Sequence, residues 1–218
     1  MYTKHSWWFP DEDTHFAEML EKNIQKGNLP VYQEPVRKRS LSYILKQDRG
    51  LALDIGANIG LWSRDLCKEF RHVIAFEPVQ QFRDCLQKNV PAKNFEIIPC
   101  ALGEQDTQIE MIVTEGNTGH SHVDSTSIGM GNIQMHRLDY FELQRVDYIK
   151  VDCEGYELPI LTGARETILR NRPIIVVEQK LHKDTGKTKE TQFEAVDLLK
   201  LWGAKELARV RHDVILGW

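Results

Sequence analysis

Five acids stand where short apolar runs end. They are Asp54 in LALDIGANIGL, Glu77 in HVIAFE, Asp152 and Glu154 in VDYIKVDCEG, and Glu178 in PIIVVE. A carboxylate at the carboxyl end of a buried strand faces the crevice in which open α/β sheets take their ligands. There it accepts hydrogen bonds from hydroxyl or amine groups, or takes a proton from one. Each acid alone also suits a solvated strand end or a helix cap. Their recurrence at four strand ends points to one shared site, because burying such groups without partners is costly.

The run around Asp54 shows how that site is built. Leu51, Leu53 and Ile55 suit a strand buried on both faces. Gly56 and Gly60 follow, and then Ile59, Trp62, Leu66 and Phe70 repeat at the three- and four-residue steps of a helix. A strand that turns through glycines into a helix brings main-chain N–H groups close to a ligand. The glycine spacing excludes two common cradles. Asn58 and Leu61 break the dinucleotide fingerprint G-x-G-x-x-G, and no lysine follows Gly60 as a phosphate loop requires. A nicotinamide dehydrogenase is therefore disfavoured. Glu77 lies about 20 residues past the turn, the place from which an acid accepts hydrogen bonds from ribose hydroxyls.

The remaining elements follow from periodicity. Val79, Phe82, Leu86 and Val90 mark a helix, and Phe95–Cys100 a third strand before Ala101-Leu102-Gly103. Thr107–Thr114 alternates as a half-exposed strand, Glu115–Gly131 reads as a loop, and Ile133–Leu138 as another strand. His120 and His122 with Asp124 invite a metal reading. Without a further clear ligand they read as solvated, and no metal site is expected. Tyr148, Ile149 and Val151 form a buried strand. If it continues, Asp152 and Glu154, two apart, share one side of the pleat. A helix with Leu158, Leu161, Ala164 and Ile168 on one face comes next. After Ile174–Glu178, Lys180–Thr191 is polar and expected to be mobile. A helix over Gln192–Trp202 and a hairpin of Lys205–Val210 with Asp213–Trp218 close the chain.

At 218 residues the chain suits one sizeable domain. Its 28 basic and 32 acidic residues give a net charge of −4, which argues against a general affinity for nucleic acid. Its apolar runs fall short of a membrane span, and the first residues lack a signal-peptide core. Cys67, Cys85, Cys100 and Cys153 have no C-x-x-C spacing, so a soluble cytoplasmic protein with reduced thiols is expected. Residues 1–49 read as a separate helical segment, with one helix from Pro10-Asp11-Glu12-Asp13 to about Gln25 and another over Glu34–Lys46. Trp7, Trp8 and Phe9 either staple these helices to the domain or belong to a lid over the ligand edge, with His15 and Tyr32 as weak candidates in it.

Taken together, LDIGANIGLWS, AFEP, the LD at 138–139, DYIKVDCEGYELPILTGA and IIVVEQ resemble the FkbM-type methyltransferases, a class I S-adenosylmethionine-dependent family. The motifs span about residues 51–180. The resemblance implies a Rossmann-like sheet of seven mostly parallel strands, helices on both faces and an antiparallel last strand. It implies S-adenosyl-L-methionine as cofactor and transfer of its methyl group to a hydroxyl of a small metabolite or saccharide. Carried over by motif, Asp54, Gly56, Asn58 and Gly60 hold the methionine end, Glu77 and Pro78 the ribose, and Cys100 and Ala101 leave room for adenine. Asp152 orders the cofactor amine, and Asp152, Glu154 and Glu178 are the candidates for the base and for orienting the acceptor. Cys153 is a mild departure where such proteins often carry an aliphatic residue. Residues 1–49 carry little of the resemblance and are where acceptor choice is expected to lie. Two other classes compete: a nucleic-acid or protein methyltransferase, which would have no N-P-P-Y-like motif here, and a non-catalytic domain that kept the fold.

Overall fold

Trp7–Phe9 alternates buried and half-buried aromatic side chains and therefore pairs as a strand. In the computed structural model, β1 (Tyr2–Lys4) and β2 (Trp7–Phe9) form a hairpin ahead of α1 (His15–Gln25) and α2 (Glu34–Leu41). The structure describes residues 1–11, 13–27, 29–180 and 192–218; the expectations for Glu12 and for the polar stretch 181–191 lie outside these. The helix expected over 34–46 stops at Leu41. Ser40 and Ser42 turn their hydroxyls back onto the Arg37 and Arg39 carbonyls, and Arg49 takes the carbonyls of Leu41 and Ile44.

The apolar runs then alternate with helices. They give β3 (Leu51–Ile55), α3 (Ser63–Glu69), β4 (His72–Phe76), α4 (Gln80–Asn89) and β5 (Phe95–Ile98). An insertion follows: β6 (Ala101–Leu102), β7 (Thr107–Ile112), β8 (His122–Asp124) and β9 (Ile133–His136), a small sheet of order β6-β9-β7-β8. The stretch expected to be loop thus contains a three-residue strand, β8, antiparallel to β7. The chain returns through β10 (Val146–Val151), α5 (Glu157–Thr162), α6 (Arg165–Asn171), β11 (Ile174–Glu178), α7 (Glu194–Leu201), β12 (Lys205–Val210) and β13 (Asp213–Gly217). The single helix that the sequence predicts after Gly155 is divided at Gly163. A Cβ there would collide with the Gly103 carbonyl, so the backbones touch at the break.

The main sheet has seven strands in the order β12-β13-β11-β10-β3-β4-β5. The five from β11 to β5 run parallel, and β13 lies antiparallel between β11 and β12. Alternation divides the core. Leu53, Ile55, Ile149, Val151, Ile175 and Val177 face α5–α7, where Ile160, Leu161, Ile168 and Leu199 cover them. Ala52, Val73, Tyr148, Val176 and Ile215 face α2 and α3, against Val36, Leu41, Trp62, Leu66 and Phe70. The N-terminal hairpin and α1 form a cluster of their own against the glycine turn and α4. Trp7, Phe9, Phe16 and Leu20 pack with Ile59, Leu61 and Cys85. Asn89 ties the hairpin down as a peptide group would: its Oδ1 accepts from Trp8 N–H at 2.7 Å, and its Nδ2 donates to the Trp8 and Ile59 carbonyls.

Candidate functional site

The turn after β3 is shaped by three residues with positive φ: Gly56 (79°), Asn58 (50°) and Gly60 (94°). At Gly56 a side chain would strike the Asp152 carbonyl, so only glycine lets the first turn approach the end of β10. Asn58 tolerates the left-handed conformation because its side chain bonds locally: Oδ1 accepts from Ile59 N–H at 2.8 Å, and Nδ2 donates to the Thr118 carbonyl at 3.0 Å. Gly60 is set back, packed on Leu86 and Val90 and lining neither cleft described below. Asp54 is buried and accepts from Ser63 Oγ at 2.5 Å. Burial pushes its carboxyl up to about 6, against the pull of Ser63 and Lys150.

Glu77 is held from both sides. Its Oε2 accepts from Asn58 N–H at 2.8 Å and its Oε1 from Val79 N–H at 2.9 Å. Burial raises the carboxyl to about 7, and the two N–H groups temper the rise. Glu77 and Pro78 end a cleft of about 580 Å³ whose walls include Phe76, Phe82, Cys100, Ala101 and Leu102. The inserted sheet closes it with Met111 and Val123. Burial pushes the Cys100 thiol up to about 12, which leaves it a small apolar wall and no nucleophile.

A second cleft of about 640 Å³ adjoins the first, and Gly56, Asn58, Gly119, Asp152 and Glu154 line both. Its far walls come from elsewhere in the chain: His15, Phe16 and Tyr32 from the N-terminal segment, His120 from the insertion, and Trp62 from the turn into α3. At its floor lie Asp54, Lys150, Asp152, Glu154 and Glu178. Carboxylate oxygens of Asp152, Glu154 and Glu178 lie within 4.8 Å of one another. Burial alone would raise the Asp152 carboxyl. The Lys150 ammonium, 2.8 Å from its Oδ2, reverses this and holds it below the usual range. Burial and the Asp152 charge together drive Glu178 well above the carboxylate range, so it carries a proton at neutral pH.

Glu154 reaches the cleft by a different route from the pleat expected of it. The strand ends at Val151, and Glu154 adopts φ 50° before Gly155 at 101°. The buried Glu157 carboxylate fixes that turn, since its Oε1 accepts from Cys153 N–H at 3.1 Å and Gly155 N–H at 3.0 Å. Glu157 and Lys150 went unnoticed in the sequence. The first could have been found as an acid at a helix start, the second as a lysine inside an apolar strand. His120 and His122 part company: His120 lines the second cleft and His122 the first. Asp124 instead caps the turn at Ser125–Ser127 by accepting from Thr126 N–H.

The Methyltransferase FkbM domain matches residues 54–205. "Methyltransferase 1" of Beauveria bassiana (strain ARSEF 2860) is 24% identical over 188 residues, covering 66% of this chain and 76% of that protein. The crystal structure of a methyltransferase FkbM from Methylobacillus flagellatus KT superposes with a TM-score of 0.52 at 20% identity, over 78% of this chain. The present chain covers 43% of that protein's length. The O-methyltransferase from Bacillus cereus in complex with SAH has a TM-score of 0.51 at 14% identity, covering 95% and 91% of the two chains. These two likenesses are to the fold: a mostly parallel sheet with its helices on both faces. With the glycine turn, the strand-end acids and the 54–205 match in agreement, the chain belongs to the FkbM methyltransferase family.

Proposed function

We propose that this protein is an S-adenosylmethionine-dependent O-methyltransferase acting on a hydroxyl of a small metabolite or a saccharide. The observation that carries this reading is the junction of two clefts at Asp152 and Glu154, one largely apolar with an acid at its end, the other polar. The residues present fit the cofactor. The first cleft offers apolar walls with the small residues Cys100 and Ala101 for an adenine, and Glu77, flanked by Pro78, for ribose hydroxyls. Gly56 leaves backbone at the junction that a side chain would fill. Asp54, Asn58 and Asp152 suit the amino-acid end, with Gly60 shaping the turn behind them. When bound, S-adenosylmethionine supplies an electrophilic methyl group on a sulfonium.

The chain's own residues do the rest. The second cleft holds the acceptor so that its oxygen lies near the junction, and such positioning supplies much of the acceleration in an in-line displacement. Asp152, ionised against Lys150, orders the cofactor amine. Glu178, protonated, donates a hydrogen bond. Glu154 is left to accept the hydroxyl proton as the acceptor oxygen attacks. In this reading residues 1–49 cap the catalytic domain at 50–218 and wall the acceptor cleft with His15, Phe16 and Tyr32. No described helix is long and apolar enough to cross a membrane. The four cysteines are free thiols, which suits a cytoplasmic setting.

The test is calorimetry with S-adenosylhomocysteine, followed by turnover against hydroxylated metabolites and saccharides for the native protein and Glu154→Gln. Binding by both proteins is expected, with turnover of the variant lower by about a hundredfold. Absence of cofactor binding would end the reading, and normal turnover by the variant would move the base elsewhere.

A further inference from the structure

Lys150 lies in the middle of the seven-stranded sheet, opposite Asp54 on β3 and Val176 on β11, with its side chain 1% exposed. Taking an ammonium out of water costs several kcal/mol unless charges compensate it. The compensation comes from three elements. Asp152 Oδ2 is 2.8 Å away, and Glu178 and Asp213 face one another in register at the ends of β11 and β13. The Asp152 and Asp213 charges lead in outweighing desolvation and hold the ammonium protonated, with protonated Glu178 as a neutral polar neighbour. The face of Trp62 lies 5.2 Å from the nitrogen on the remaining side.

Asp152, Glu154 and Glu178 are grouped as carboxylates around a divalent cation are grouped, since hard cations gather oxygen ligands in this way. Here a positive charge is already in place, covalently attached and pressed against one of the three. We propose that Lys150 is a positioning residue, a built-in cation that holds Asp152 as a carboxylate toward both clefts and stands where a divalent ion would otherwise bind. Resting on the methyl-transfer reading above, this makes cofactor binding and turnover independent of added metal.

The experiment compares the native protein with Lys150→Met and Lys150→Arg after dialysis against EDTA. Affinity for S-adenosylhomocysteine is measured by calorimetry, and binding of Mn²⁺ and Mg²⁺ by calorimetry and thermal shift. The native protein is expected to bind S-adenosylhomocysteine equally well with EDTA or with millimolar Mg²⁺, and to bind neither ion. Lys150→Met should lose at least tenfold in affinity for S-adenosylhomocysteine and gain a Mn²⁺ site. Lys150→Arg, which keeps the charge, should retain most of the affinity and gain no site. Tighter binding by the native protein with Mg²⁺, a Mn²⁺ site in the native protein, or no gain of one in Lys150→Met would each overturn the proposal. If Lys150→Met does not fold, the native protein and Lys150→Arg decide it through the same metal titrations. If the native protein binds no S-adenosylhomocysteine, the methyl-transfer reading fails, while the Mn²⁺ titrations still decide the role of Lys150.

Discussion

Two backbone N–H groups converge on the Glu77 carboxyl, yet burial keeps its proton until about pH 7. An acid raised in the folded state stabilises the fold below its unfolded value, near 4.5, and that contribution is lost as pH rises through about 7. The loss amounts to about 3 kcal/mol for a shift of this size. In the proposed reading cofactor binding runs the other way, because only the carboxylate accepts hydrogen bonds from two ribose hydroxyls. Affinity for S-adenosylhomocysteine is expected to climb between pH 6 and 8 and then level off. Glu77→Gln should weaken binding by tenfold or more and flatten the climb, as calorimetry across that range would show. At this scale the sequence exposed much of the site. Acids ending apolar runs are visible by type and position, and Asp54, Glu77, Asp152, Glu154 and Glu178 all line the paired clefts. Lys150 was not visible in the same way. A lysine in an apolar run has no evident direction until flanking strands on both sides bury it. Gly60, expected in the cradle, also packs closely on Leu86 and Val90, which spacing alone does not show.

The elements around the site are joined by a short polar chain. Asp13, buried ahead of α1, accepts from Thr118 Oγ1, and the Thr118 carbonyl accepts from Asn58 in the glycine turn. The N-terminal segment, the insertion and the glycine turn are therefore fastened at one point. Thr118→Val would leave the buried Asp13 carboxylate without that donor, which costs about 1–3 kcal/mol. Chemical denaturation should show a loss of this size, and calorimetry a weaker affinity for S-adenosylhomocysteine, since Thr118 lines the first cleft and holds Asn58. Strand β10 begins at Val146, two residues before the apolar run that marks it, whereas the β11 boundaries and the start of α2 at Glu34 are legible from the sequence. The insertion was less so, because β8 has three residues and pairs only with β7, too short a run for alternation to register.

At the scale of the whole molecule, the order of strands follows from alternating apolar runs and helices, and the resemblance supplied the antiparallel member. The sequence offers Trp7, Trp8 and Phe9 as a staple but not its partners, since a contact between Trp7 or Phe9 and Ile59 is not written in local periodicity. Trp7, Phe9, Phe16 and Leu20 are buried, and each such side chain contributes about 1.5–3 kcal/mol. Their sum is comparable to the stability of an ordinary domain. Deleting residues 1–30 is therefore expected to abolish cooperative unfolding in thermal melts. A truncated protein that still melts cooperatively and binds S-adenosylhomocysteine would make the segment a detachable lid.

The place of β13 between β11 and β12 also bears on how the chain is made. Strand β11 is almost wholly apolar, and its partner on that side arrives about 35 residues later. At a synthesis rate of roughly 5–20 residues per second, that interval lasts about 2–7 seconds. Throughout it, a nascent chain with β3, β4 and β10 already assembled presents β11 as a bare hydrophobic edge, the form of strand most prone to pairing with another chain. Yield during expression should therefore depend on translation speed and chaperone supply over residues 179–213 more than on the stability of the finished protein.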